Sequence, residues 1–302
     1  MNRTAGFLIV ALSGACFGAL GLFGRLAYAS GADVASLLFL RFSIAGTVLA
    51  AVMVVRRQRL PGFKVVLALM LLGAVGYVSE AGAYFAALRH APAGLVALLL
   101  YSFPALVALL QRVVFGEHLG RVKWLAVVLA LGGTALTADL ESGGAKPLGV
   151  MLGLLSALLY AGYVVISARV AGHAGPLVSS TVILGSAGAT LGFVVLIQGP
   201  AFPTTATGWA AVVALALVST VAAVLLFFVG MARIGPVNTS LVSTMEPLTA
   251  VVLGALFLDE RLSARQVVGG LLILTAAVML ARADAPDPSR GPPGGTQSTG
   301  PA

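Results

Sequence analysis

Leu98-Leu99-Leu100-Tyr101-Ser102-Phe103-Pro104 recurs in altered form as Leu241-Val242-Ser243-Thr244-Met245-Glu246-Pro247, and this recurrence decides the fold. The first stretch runs on to Phe115-Gly116-Glu117-His118-Leu119, the second to Leu258-Asp259-Glu260-Arg261-Leu262. Pro104 and Glu117 precede Pro247 and Glu260 by the same 143 positions. Ser43 and Thr47 keep that offset to Ser186 and Thr190. Leu88-Arg89-His90-Ala91-Pro92 matches Ala232-Arg233-Ile234-Gly235-Pro236 with one residue of slip. Prolines there open the next helix, where a missing N–H costs nothing. Each copy holds five apolar segments, an odd number, so the second copy is expected to insert upside down relative to the first. Inverted repeats with helices interrupted at matching places are a transporter pattern.

Working outward, the composition assigns the solvent. Of 302 residues, 59% are hydrophobic and only 9% charged, and mean hydropathy is +1.05. A soluble domain of this size needs far more charge on its surface. Runs of about 20 apolar residues, enough to cross the hydrocarbon layer as helices, recur throughout. They predict helices at 5–28, 34–55, 65–88, 92–115, 122–138, 147–170, 176–198, 208–231, 236–258 and 264–282. The expected class is therefore all-α integral membrane, with ten transmembrane helices as two inverted five-helix repeats around a central cavity. The first repeat spans 1–138, a connection 139–146, the second repeat 147–282, and a Pro-, Gly- and Ser-rich disordered cytoplasmic tail 283–302.

The formal net charge is +8, yet its placement argues against nucleic acid. The basic residues sit at helix ends. The densest run, Arg56 to Lys64, joins helices two and three, and Arg3, Arg112, Arg121, Lys123, Arg169, Arg233 and Arg282 mark other ends on the same side. The positive-inside rule puts that side, and both termini, in the cytoplasm. Arg261 and Arg265 fall outside, softened by Asp259 and Glu260. Cys16 is the single cysteine, which rules out a disulfide framework or a cysteine metal cluster. Arg3, the apolar run Gly6–Leu12 and Ser13-Gly14-Ala15-Cys16 faintly suggest a lipoprotein signal. Removing it would strip a helix from the first copy, and Gly6 and Ser13 match Gly149 and Ser156, so it reads as helix one.

Polar groups deep in such helices are the candidate functional residues, because an ionisable group at mid-membrane costs about 3 kcal/mol or more. Glu246 is expected near the middle of helix nine. Pro247 cannot donate to the Ser243 carbonyl, which should be left without its helical partner. Thr239, Ser243 and Thr244 bring hydroxyls to nearly the same face. A carboxylate, a carbonyl and hydroxyls together suit an ammonium group or a proton. Glu80 shares a face with Tyr77 and Tyr84 by its helical spacing. Pro104 should free the Leu100 carbonyl beside Tyr101 and Ser102, with Phe103 standing where Glu246 stands in the other copy. Ser156, Tyr160, Tyr163 and Ser167 form one stripe on helix six, and Ser13 and Phe17 occupy the matching part of helix one. Pro104 and Pro247 are expected helix kinks. Arg25 and Arg41 read as snorkelling at the outer interface. Glu117 and Glu260 read as structural groups in connections, Ser263 and Gln266 as a capping box, and His90, His118 and His173 as solvated helix-end residues. The pairs Gly14/Gly18, Gly149/Gly153, Gly73/Gly76 and Gly269/Gly270 let helices approach closely. There is no phosphate loop, no H-E-x-x-H, no G-x-S-x-G and no metal-spaced acid/histidine cluster, so no enzyme, metal or cofactor is expected.

The L-R-H-A-P, Y-S-F-P and F-G-E-H-L elements of the first copy, and M-E-P-L-T to F-L-D-E-R-L of the second, resemble the EamA-type transporters of the drug/metabolite transporter superfamily. The resemblance covers roughly residues 6–281. His118 and Gly120 depart from the Arg and Ser/Thr usual there. The resemblance implies a ten-helix transporter whose cavity is lined by helices 1, 3, 4, 6, 8 and 9. Helix eight offers only Ser219 and Thr220 as polar groups. It further implies efflux across a bacterial inner membrane, of amino acids or other amine-bearing metabolites, or alternatively of hydrophobic cations held against tyrosine faces. The partners expected are a small-molecule substrate, the lipid bilayer and a coupled proton, with no nucleic acid. The glycine faces serve equally within a protomer or between two, so monomer and homodimer both stay open.

Overall fold

The computed structural model describes residues 3–87, 90, 96, 99–116, 120–137, 146–257 and 264–283. Among them every regular element is helical. The expectations for Arg89, Pro92, Glu117, His118, Asp259, Glu260, Arg261 and Ser263, for most of the 139–146 connection and for the tail beyond 283 lie outside the described residues.

The helices are α1 (Arg3–Gly18), α2 (Leu20–Ala29), α3 (Val34–Val55), α4 (Phe63–Leu71), α5 (Val78–Ala87), α6 (Phe103–Phe115) and α7 (Arg121–Thr137). They continue as α8 (Pro147–Ala174), α9 (Pro176–Gln198), α10 (Ala206–Ala216), α11 (Ala223–Val242), α12 (Met245–Phe257) and α13 (Ala264–Ala283). Among the described residues six stretches are long and apolar enough to cross a membrane: Arg3–Ala29, Val34–Val55, Phe63–Tyr84, Pro147–Ala174, Pro176–Gln198 and Ala206–Val242. Large apolar side chains such as Leu8, Val55, Leu196 and Ile197 lie open on the outside, as a lipid-facing surface requires.

Local chemistry sets the boundaries. The Asp33 carboxylate caps α3 by accepting from Ser36 N at 2.7 Å, and Thr205 caps α10 by accepting from Gly208 N at 3.1 Å. Pro147 and Pro176 open α8 and α9. Gly235, at φ 79°, breaks α11 internally just before Pro236, a backbone that a side chain would strain.

Several predicted helices are interrupted. Helix one turns at Ala19 between α1 and α2. Helix three relaxes into a π turn, Leu72–Tyr77, between α4 and α5, and helix eight into another, Leu217–Ala222, between α10 and α11. Helix nine is not continuous: α11 ends at Val242, Ser243 and Thr244 form a turn, and α12 starts at Met245. Glu246 and Pro247 therefore lie in the first turn of a new helix rather than mid-helix, and Pro104 likewise opens α6 after the turn at Tyr101–Ser102. The Ser243 carbonyl is not free, because Glu246 N donates to it at 3.0 Å. Breaking the helix lets an N–H three residues on replace the one that proline lacks.

Packing joins distant segments. The most extensive seams pair α3 with α9, α7 with α13, α1 with α11 and α5 with α8. The α3–α9 seam is close because Gly46 lies against Gly185 and Gly188 against Ser43. At one end of the bundle Asp33 N donates to Ala201 O and Thr204 N to Ser30 O. At the other, the segment around Arg56 and Gln58 meets Ala174–Val178.

Candidate functional site

The first candidate centre is Glu80, in the opening turn of α5 directly after the first π turn. It is 8% exposed. Ser156 of α8 donates to its carboxylate oxygen Oε1 at 3.2 Å and lies 3.4 Å from its carbonyl oxygen. Ser13 of α1, which stands 143 positions before Ser156, donates to the Ala223 carbonyl at 2.7 Å. Ala223 stands 143 positions after Glu80. The same helix-to-helix bond is thus made twice, and one of the two positions carries a carboxyl group.

The second centre is Glu246, half-buried, with the Tyr101 phenol close enough to its carboxyl to act on it. Tyr84 is near enough to feel both Glu80 and Glu246 electrostatically. The other hydroxyls expected beside Glu246 are committed elsewhere. Ser243 Oγ donates to Thr239 O at 2.8 Å, Thr239 Oγ1 to Gly235 O at 2.8 Å and Thr244 Oγ1 to Leu241 O at 2.6 Å. Ser102 Oγ donates to Leu99 O at 2.6 Å. These side chains stabilise the helix ends around the breaks. Their lone pairs, not their protons, remain for a ligand.

Between the centres the interior is filled by rings. Phe42 and Tyr77 have centroids 5.1 Å apart, Tyr77 and Tyr163 5.4 Å, Tyr163 and Tyr160 6.1 Å, and Tyr160 and Phe103 4.6 Å. These aromatic side chains form a column at this level of the bundle. Ser167 bonds within its own helix, to Val164 O at 3.0 Å.

Arg41 overturns its sequence reading. It does not snorkel outward: it is 5% exposed, pointing into the bundle from α3. Its Nε donates to Thr220 Oγ1 at 2.7 Å and its Nη2 approaches Ser219 O at 3.4 Å, both in the second π turn. Its charge also reaches Tyr77, the last residue of the first π turn, and its guanidinium carbon lies 4.9 Å from the Phe42 ring centroid. Both Glu80 and Glu246 feel its charge. Sequence reasoning also passed over two buried amides, Gln111 and Asn238, the latter donating to Ile234 O at 2.7 Å. Their signal was a polar residue one turn from fully apolar neighbours. Among the described residues no group of histidine, cysteine and acidic side chains could hold a metal ion.

The family model for the EamA-like transporter family matches the chain twice, over residues 4–138 and 147–282. The chain belongs to that family. This EamA-like protein is 28% identical over 299 residues to the uncharacterized transporter YcbK of Bacillus subtilis, covering 89% of this chain and 90% of the relative. It is 29% identical over 205 residues to Protein PecM of Dickeya dadantii, covering 65% and 67%. A crystal structure 24% identical in sequence superimposes with a TM-score of 0.77 over 93% of this chain and 99% of the other, a likeness of fold. The EamA-like chain is a multi-pass membrane transporter. Its family and its named relatives are transporters rather than enzymes.

Proposed function

We propose that this EamA-like transporter is a secondary exporter of amino acids or related amine-bearing metabolites, working by alternating access in a bacterial inner membrane with both termini cytoplasmic. The observation that carries the reading is the pair of interior acids, Glu80 held by Ser156 and Glu246 near Tyr101, at breaks in two different helices. Carboxylates kept inside a bilayer need a purpose that offsets their desolvation. A substrate ammonium group supplies one, and a transported proton another.

Ten crossings in two inverted halves fit this role. The double family match, the repeated Ser13/Ser156 bond and the seams between offset-related helices support such a pseudo-twofold arrangement. Rocking of the halves would open the ring-filled interior to each side in turn. The protein is proposed to act as a monomer or homodimer without nucleic acid. The ring column also fits export of hydrophobic cations, but a buried guanidinium against Tyr77 repels a bare cation and favours a ligand that also carries negative charge.

The test is export from cells preloaded with a panel of amino acids, comparing wild type with Glu246→Gln at matched membrane expression. Wild type should release one chemical class faster than cells lacking the protein, and the variant should not. If Glu246 instead couples protons, the variant should exchange substrate normally yet ignore a pH gradient. Well-expressed wild type that exports no amino acid would sink the reading and favour hydrophobic cations.

A further inference from the structure

Arg41 is a buried cation whose two hydrogen-bond partners, the Thr220 hydroxyl and the Ser219 carbonyl, are both neutral, with the Tyr77 phenol close enough to feel its charge. Glu80 and Glu246 act on it through space, not as its hydrogen-bond partners. A guanidinium held away from water and from direct contact with a carboxylate is costly. The fold nevertheless brings three elements together to hold it. Tyr77 closes one π turn, Ser219 and Thr220 belong to the other, and Arg41 itself comes from the α3 seam. π turns interrupt helices at a cost and concentrate at functional sites. Here two of them, from the two halves of the chain, meet on one guanidinium.

The Nε edge of Arg41 is used by Thr220, which orients the plane of the group. Planar guanidinium is the side chain best matched to a carboxylate, through two parallel N–H donors. The interior therefore offers a positive end at Arg41 and acids at Glu80 and Glu246, with the tyrosine stack between Tyr77 and Tyr160 alongside.

We propose that Arg41 is the group that recognises a substrate carboxylate, so that the cargo is a zwitterion bearing both an amino and a carboxylate group rather than an amine alone. The inference rests on the amine-transport reading above and narrows it. With one guanidinium and two acids, a bound zwitterion satisfies Arg41 and one acid, leaving the other acid for a proton.

The experiment measures binding to the purified full-length chain in lipid nanodiscs, using matched probes. Alanine, leucine and phenylalanine are each compared with the corresponding amine (ethylamine, isoamylamine, phenethylamine) and the corresponding des-amino acid (propanoate, 4-methylpentanoate, 3-phenylpropanoate). The expected result is that at least one amino acid binds about tenfold or more tightly than its amine. Arg41→Lys, which keeps the charge but loses the fork, and Arg41→Gln should both shrink that ratio by weakening the amino acid, and Arg41→Gln, which removes a repelling charge, should bind the amine no more weakly than wild type does. An amine binding wild type as tightly as its amino acid overturns the inference and leaves amine transport standing. Equal loss of amine and amino acid in folded Arg41 variants also overturns it, making Arg41 a brace between α3 and the second π turn. Des-amino acids that bind as tightly as amino acids, with the preference over amines lost in Arg41→Gln, uphold the carboxylate site and overturn the amine reading. If folded wild type binds none of the nine probes, both fall.

Discussion

Ser13 and Ser156 make equivalent bonds with unequal consequences. Each donates to a backbone carbonyl of a neighbouring helix, but only Ser156 also reaches a carboxylate. Ser156→Ala and Ser13→Ala should each lower stability by about 1 kcal/mol. Ser156→Ala alone should also slow substrate export, since it loosens Glu80. Thermal unfolding in detergent and efflux rates, measured side by side, check this; equal loss of flux in both variants would make Ser156 a packing residue only. At this scale the acids were legible, because a carboxylate inside an apolar run has no bland neighbourhood to hide in. Arg41 was misread for a physical reason. A long arginine side chain near a helix end can reach water by itself, and its actual partners lie 178 and 179 residues away. Hydrophobic periodicity carries no record of such distant contacts.

The elements were legible as apolar runs and not as broken helices. The turns at Ala19, at Tyr101–Ser102 and at Ser243–Thr244, and the two π turns, depend on what the neighbouring helix demands. Proline flagged two of them; nothing local flagged the π turns. Close approach matters where α1 passes α12. A Cβ added at Gly18 would lie 2.6 Å from the Glu246 carbonyl oxygen and from Thr249 Cβ. Gly18→Val should therefore displace the start of α12, cost about 1–3 kcal/mol through overpacking and impair export. Gly21→Val, where a Cβ meets nothing within 4 Å, is the matched control and should be neutral in both yield and flux. A harmless Gly18→Val would show that α1 and α12 are free to separate.

At the scale of the whole molecule the 143-residue offset made a duplication legible, and the family model matches the chain twice, because a duplicated pattern survives where single contacts do not. The orientation proposed for it in the bilayer rests on the placement of charge, and chemical labelling tests it. With Cys16 replaced by alanine, a single cysteine at Gln58 should resist a membrane-impermeant maleimide in intact cells and react in inside-out vesicles. A single cysteine at Thr204, at the opposite end of the bundle, should do the reverse. Labelling of both from the same side would exclude the proposed topology.

The bond between Arg41 and Thr220 also bears on how the chain is made. Helices enter the bilayer in the order of synthesis, so Arg41 arrives when α10 and the second π turn do not yet exist. Until then neither of its hydrogen-bond partners exists, and the newborn chain offers its charge only the nearby Tyr77 and Glu80 of the first half. The first half must either linger beside the insertion machinery or keep α3 near the headgroups. Only the arrival of residues 217–222 lets it settle. Completion of the second half should thus finish the setting of a side chain that belongs to the first, and a chain stalled before residue 217 would carry Arg41 without either of its hydrogen-bond partners.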